Sequence, residues 1–298
     1  MNATQQLHER GQSLWLDNIT RELIASGTLK RYIREFAVTG LTSNPTIFDQ
    51  AIKGADHYDR AIRQKADEGK SGEALFFELA LEDLTAAADL FRPIHAATGG
   101  VDGWVSLEVS PLLADDTAGT IKAAARLHAS AQRANLFIKI PGNRAGLPAI
   151  EESIFAGVPI NVTLLFSCDQ YLAAAGAYMR GIERRIAAGR DPQVASVASL
   201  FVSRWDVAVK DKVRDELHNR LASPWPCART KRTAICSRHR GGKRLPRPAR
   251  VRSACCGRAP APRTRPPRTL CMSKHSRRRI RSTPYRTKPC WPSLRTGR

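Results

Sequence analysis

Leu136–Pro141 reads LFIKIP, an apolar run with a lysine at position 139. A short run of this kind predicts a strand of a parallel sheet, where both faces are buried and the hydrophobic residues are nearly continuous. An ammonium ion is costly to remove from water, so a lysine inside such a strand needs a reason. The plain reason is an edge strand with Lys139 turned to solvent. The chemical reason is that apolar surroundings favour the neutral form of a lysine amine, which can attack a carbonyl and form a Schiff base.

Strand-like and helical stretches alternate on both sides of this run. Strands are expected at Ser13–Asn18, Phe36–Asn44, Trp104–Ser110, Ile160–Phe166 and Ser196–Ser203. Helical spacing marks Ile19–Gly27, most of Thr46–Thr98, Thr117–Ala131, Gly146–Ala156, Asp169–Ala188 and Arg204–Arg220. Pro45 biases Asn44 away from helix and can itself open one. The acidic pair Asp115/Asp116 suits the positive end of the helix that follows it. This alternation argues for a parallel α/β sheet with crossover helices, of the (β/α)₈ TIM-barrel type, with six of the eight strands visible.

Barrels of this type carry their chemistry at the C-terminal ends of the strands. Those ends hold Asp17, Asn44, Glu108, Lys139, Thr163 and Ser199. Schiff-base formation needs proton donors and a base, and Glu108 and Asp17 are the carboxylates in reach. Each could equally be a cap or an ion-pair partner. Asn44, Thr163 and Ser199 are neutral groups that can orient hydroxyls, or merely satisfy backbone. Arg204, just past the sixth strand, can meet a phosphate or lie on the surface of its helix.

Four runs carry a more specific signal. TGLTSNPTIF at Thr39–Phe48, LFIKIPGNRAGLPAIEE at Leu136–Glu152, INVTLLFS at Ile160–Ser167 and ASLFVSRWD at Ala198–Asp206 resemble, in order, motifs of the transaldolase family. The resemblance covers about residues 7–220, in the style of the longer bacterial branch. It implies a class I aldolase type of barrel. It also implies transfer of a dihydroxyacetone unit from a ketose phosphate, such as sedoheptulose 7-phosphate or fructose 6-phosphate, to an aldose phosphate. That reaction belongs to the non-oxidative pentose phosphate pathway in the cytoplasm. On this resemblance Lys139 forms the imine and Asp17 exchanges the proton of the substrate hydroxyl. Glu108 and Thr163 move protons through a water. Asn44 and Ser199 hold the dihydroxyacetone hydroxyls, and Arg204 binds the phosphate. It implies no metal and no organic cofactor, since the protonated imine is the electron sink. Ser203 departs from the pattern, standing where many relatives have glycine. A related Schiff-base aldolase that only cleaves or condenses is the neighbouring alternative.

The composition divides sharply after Arg220. Residues 221–298 hold 23 of the 48 Lys and Arg, none of the 27 Asp and Glu, 11 of the 18 prolines and six of the seven cysteines. The remaining 25 basic and 27 acidic residues give residues 1–220 a net charge of −2. The overall +21 therefore comes from one segment. It is no argument for nucleic-acid binding by the body, and the tail has no aromatic-interleaved platform. The tail cysteines lack zinc-finger spacing. A single body cysteine, Cys168, fits a reducing compartment. The N-terminus has no signal-peptide pattern, and no apolar run is long enough for a membrane span. The oligomeric state, a homo-oligomer included, stays open.

We expect residues 1–220 to form the barrel-like unit and residues 221–298 to be disordered. The tail also reads as a shifted frame. With GC-rich codons displaced by one base, Leu221–Ala228 becomes GIAMAVR, and continuing yields RLLWTGTGT and DTVNTIP. These segments resemble the seventh strand and the neighbourhood of the eighth. A six-stranded sheet leaves two edges open, so we expect the chain as written to be unstable or impaired in activity.

Overall fold

The computed structural model describes residues 1–53 and 56–218. The tail from Leu221, with the expectation of disorder attached to it, lies outside the described residues. Six strands form one sheet in sequence order, and every neighbouring pair is parallel: β1 (Leu14–Asp17), β2 (Val38–Thr42), β3 (Trp104–Glu108), β4 (Leu136–Pro141), β5 (Ile160–Leu165) and β6 (Ser196–Leu200). Sequential order with helical crossovers curls the sheet into part of a barrel. The α/β class and the six visible strands of a (β/α)₈ architecture follow the sequence reading.

Strand alternation divides the residues between two surroundings. Leu41, Val105, Leu107, Leu136, Ile138, Ile140, Ile160, Val162 and Leu200 face outward into the main core. There they meet the crossover helices α6 (Gly72–Ala97), α7 (Thr117–Ala131), α8 (Gly146–Ala156) and α9 (Cys168–Ala187) through residues such as Leu84, Leu127, Ile154 and Ala177. The inner face has its own small cluster of Trp15, Trp104, Phe137 and Val197. The Trp104 and Phe137 rings stack with centroids 4.0 Å apart. Gly40 lies against this aromatic floor, and a Cβ there would come within 2.6 Å of the Trp15 ring. The missing side chain lets the indole cross β2.

The helix ends have local causes. The Asp116 side chain accepts the Gly119 N–H and starts α7. Ser167 and Gln170 form a reciprocal capping box at the start of α9. Gly157, at φ +95°, ends α8 in the left-handed conformation that glycine adopts without a Cβ clash.

The structure refines the sequence reading at four places. The pattern at Ile19–Gly27 is a shorter helix, α2 (Arg21–Ala25), broken by Gly27 before a second one, α3 (Thr28–Phe36). A polar helix, α1 (Ala3–Glu9), precedes β1, and it buries none of its residues, so no apolar period betrays it. The stretch Thr46–Thr98 divides into α4 (Pro45–Lys53), α5 (Asp59–Asp67) and α6. The long helix expected at Arg204–Arg220 is instead α10 (Ser203–Val209), followed by 3₁₀ turns at Lys210–Lys212 and Asp215–Leu217. Trp205, Val207 and Leu217 remain exposed along it, so little of its amphipathic pattern is buried, and propensity alone does not sustain a long helix.

Candidate active site

Lys139 sits in β4, between β3 and β5, and is 5% exposed. The edge-strand alternative is therefore excluded. Its Nζ donates to the Ser43 carbonyl oxygen at 3.1 Å and lies 3.4 Å from Glu108 Oε2. The sheet register enforces this meeting: Glu108 is aligned with Lys139, and Lys139 with Asn161. In-register residues of parallel strands project to the same side, so the three share one layer of the inner face.

The carboxylates feel this enclosure. Burial pushes the Glu108 carboxyl above its ordinary range, against the Lys139 charge and hydrogen bond that pull it down. Desolvation likewise raises Asp17, opposed by Lys139 and Arg204. Asp17 ends the edge strand β1 and its surface is open to solvent, which weakens both effects by screening.

Below the amine runs a hydrogen-bonded chain across the inner face. Ser199 Oγ donates to Asn161 Oδ1 at 2.8 Å, and Asn161 Nδ2 donates to Ser106 Oγ at 3.0 Å. Ser43 Oγ donates to the Ser106 carbonyl at 2.8 Å. Ser43, Ser106 and Asn161 are completely buried. Buried polar groups of this kind are stable only when satisfied, and a satisfied network holds its members in one geometry.

Two hydroxyls stand apart. Thr42 Oγ1 and Thr163 Oγ1 are buried without a hydrogen-bond partner among the described residues. On a wall of charged and polar groups, such atoms are suited to a bound water or substrate hydroxyl.

The structure thus brings Glu108, Lys139, Thr163 and Ser199 onto one inner surface, with Asp17 at its β1 edge. Asn44 follows β2, and its Oδ1 is already used, accepting the Ile47 N–H at 3.0 Å to start α4. Its amide NH₂ remains the group available to a ligand. Arg204 lies on α10 beyond β6, exposed, with its guanidinium 4.3 Å from the centre of the Phe201 ring. Sequence reasoning missed Thr42, Ser43, Ser106 and Asn161. A usable signal existed: counting in twos along each strand to the positions that face the same way as Lys139 and Glu108 picks out Thr42, Ser106 and Asn161. Among the described residues no group of three or more His, Cys, Asp or Glu is arranged to hold a metal ion. No described helix is long and apolar enough to cross a membrane.

Comparison with known proteins adds the family. The family model for transaldolase/fructose-6-phosphate aldolase matches residues 14–296, running past the end of the motif resemblance at Arg220. A protein named transaldolase 2 from Nostoc sp. is 42% identical over 218 residues, covering 73% of this chain and 57% of the relative. Transaldolase 2 of Nostoc punctiforme is 44% identical over 206 residues, covering 69% and 54%. A transaldolase of Parafrankia sp. is 46% identical over 209 residues, covering 70% and 56%. The chain thus spans a little over half the length of the curated relatives it matches. A buried lysine paired with a glutamate on adjacent strands of a curled parallel sheet, the order of the strand motifs and the extent of the family match all lead to one assignment: the chain belongs to the transaldolase/fructose-6-phosphate aldolase family, whose fold is a TIM barrel.

Proposed function

We propose that this chain carries the catalytic half of a transaldolase, a transferase acting on sugar phosphates through an imine at Lys139. The observation that carries the reading is the Lys139 Nζ held 3.1 Å from the Ser43 carbonyl and 3.4 Å from Glu108 in a nearly closed setting. An amine so placed attacks the C2 carbonyl of a ketose phosphate. Glu108, whose carboxyl is raised toward the protonated form, supplies the proton that lets the carbinolamine lose water, with Thr163 orienting that water. Asp17 takes the proton of the C4 hydroxyl. The C3–C4 bond then breaks, its electrons pass into the imine as an enamine, and an aldose phosphate leaves. The enamine adds to the carbonyl of the incoming aldose phosphate, and the same steps run in reverse.

Asn44 and Ser199 hold the hydroxyls of the three-carbon unit in this reading, and Arg204 meets the phosphate. The reaction belongs to the non-oxidative pentose phosphate pathway, in the cytoplasm. A second reading, cleavage or condensation without transfer, is favoured by the breadth of the matching family, which includes an aldolase. Incubation with fructose 6-phosphate and borohydride should attach a reduced three-carbon unit to Lys139 and leave Lys139→Met unlabelled. Product formation that requires an added aldose phosphate supports transfer. Product without an acceptor supports the aldolase, and the absence of any Lys139 adduct overturns both.

A further inference from the structure

The mechanism above gives Ser43 no task, yet its carbonyl is bonded to the buried amine. Ser43 is fully buried, and a hydroxyl in such a place is costly unless it is bonded. The pairing of β2 with its neighbours ends one residue earlier, at Asp17↔Thr42 on one side and Thr42↔Ser106 on the other. The helix α4 begins two residues later, at Pro45. Ser43 therefore lies at the joint between the last rung of the sheet and the first turn of a helix, where neither regular structure dictates its conformation.

Two hydrogen bonds hold it at that joint. Its Oγ donates to the Ser106 carbonyl oxygen of β3 at 2.8 Å, and its own carbonyl oxygen accepts from Lys139 Nζ at 3.1 Å. Lys139 is on β4, two strands away. A ladder carbonyl lies in the plane of the sheet and reaches the adjacent strand alone. The Ser43 carbonyl has left that plane to meet an amine beyond β3, and the hydroxyl of the same residue ties its backbone to β3.

An ammonium group has three N–H donors. The Ser43 carbonyl takes one, and Glu108 Oε2, 3.4 Å away, faces another. A lysine amine otherwise turns freely about its last bond, and the lone pair of its neutral form turns with it. With two directions held, the proton that departs is the third, and the lone pair is left in its place. A carbonyl does not titrate, so it keeps its hold when Glu108 gains or loses a proton.

We propose that Ser43 is a positioning residue: its hydroxyl anchors its carbonyl, and the carbonyl fixes the direction in which the Lys139 amine attacks. The proposal rests on the functional reading for the attack itself, but the geometry can be tested without activity.

Ser43–Asn44 is the only Ser–Asn sequence in the chain. Serine labelled with ¹³C at its carbonyl and asparagine labelled with ¹⁵N therefore give one coupled signal from that bond. It should move upfield in Lys139→Met, where the donor is gone. In Ser43→Ala, compared at equal folded fraction, borohydride-trapped imine should form roughly 10- to 100-fold more slowly, with KM little changed. Ser43→Thr, which keeps the hydroxyl, should restore most of the rate. Should Ser43→Ala fail to fold, Ser43→Cys, with a similar shape and a weaker donor, carries the same comparison. A carbonyl signal that stays in place in Lys139→Met overturns the proposal, and so does trapping at the parent rate by folded Ser43→Ala, which would leave Ser43 a packing role only. If the parent chain traps no imine, the functional reading fails and the carbonyl signal alone decides whether Ser43 holds the amine.

Discussion

Replacing Lys139 by methionine removes the cation that faces Glu108 and leaves the rest of the apolar run intact. The Nζ–Oε2 separation is 3.4 Å, and at an effective dielectric constant near 20 the lost attraction is about 5 kcal/mol. Glu108 need not bear that cost, because it can take up a proton instead. For an ordinary glutamate at pH 7 protonation costs roughly 4 kcal/mol. Burial already holds Glu108 above the ordinary range, so its cost is smaller, and we expect a destabilisation of roughly 2–3 kcal/mol at neutral pH. The sign with pH follows from the raised carboxyl. Below the unfolded-state pKa the group is protonated in both states and the penalty vanishes. As pH rises through the unfolded and then the folded value the penalty grows to its full size. Urea unfolding of Lys139→Met against the parent should therefore show a gap that is wide at pH 7 and closes toward pH 4, and adding Glu108→Gln should remove most of it. A gap independent of pH, or one that Glu108→Gln fails to narrow, would refute the idea that these two groups share one charge balance.

Other changes probe the frame around the site. Tyr58 Oη donates to Asp83 Oδ2 at 2.7 Å and accepts the Arg21 N–H at 3.0 Å, so Tyr58→Phe leaves the buried Asp83 Oδ2 and the half-buried Arg21 N–H short of a partner. It should cost about 1–3 kcal/mol in urea unfolding; a loss under about 0.5 kcal/mol would mean that water replaces the hydroxyl. Gly40→Ala pushes a methyl into the Trp15 ring and should cost about 1–3 kcal/mol, with a shift in tryptophan emission; an unshifted spectrum at full stability contradicts the described packing. Resequencing the gene across the codons for Arg220 and Leu221 should reveal one missing base, and an unchanged reading frame there disposes of the shifted-frame account of the tail.

The strands were legible because apolar runs of five or six residues have few other uses, and β4 and α8 match their expected ranges. Lys139 was legible for the opposite reason, as the wrong residue in the right run. Its companions were harder to see. Ser106 and Asn161 stand two residues before Glu108 and Thr163, so alternation puts them on the same face, but that they bond to one another follows from strand pairing that no local pattern records. Asn44 was expected at a strand end with a role toward a ligand, and half of its amide turns out to serve a helix. The exposed apolar side chains of α10 show the other limit: periodicity announces a face without saying what covers it.

The inner face has a simple grammar. Trp15 precedes Asp17 by two positions, Gly40 precedes Thr42, Trp104 precedes Ser106, Phe137 precedes Lys139 and Val197 precedes Ser199. Five of the six strands thus deliver a floor position and a working group as one three-residue cassette, a single pleat apart, about 7 Å along the chain. Ballast and tool are thus inherited together. A designer who repacks the aromatic tiles will retune the amine and its companions without touching them, and one who wishes to transplant this chemistry should move cassettes rather than single side chains.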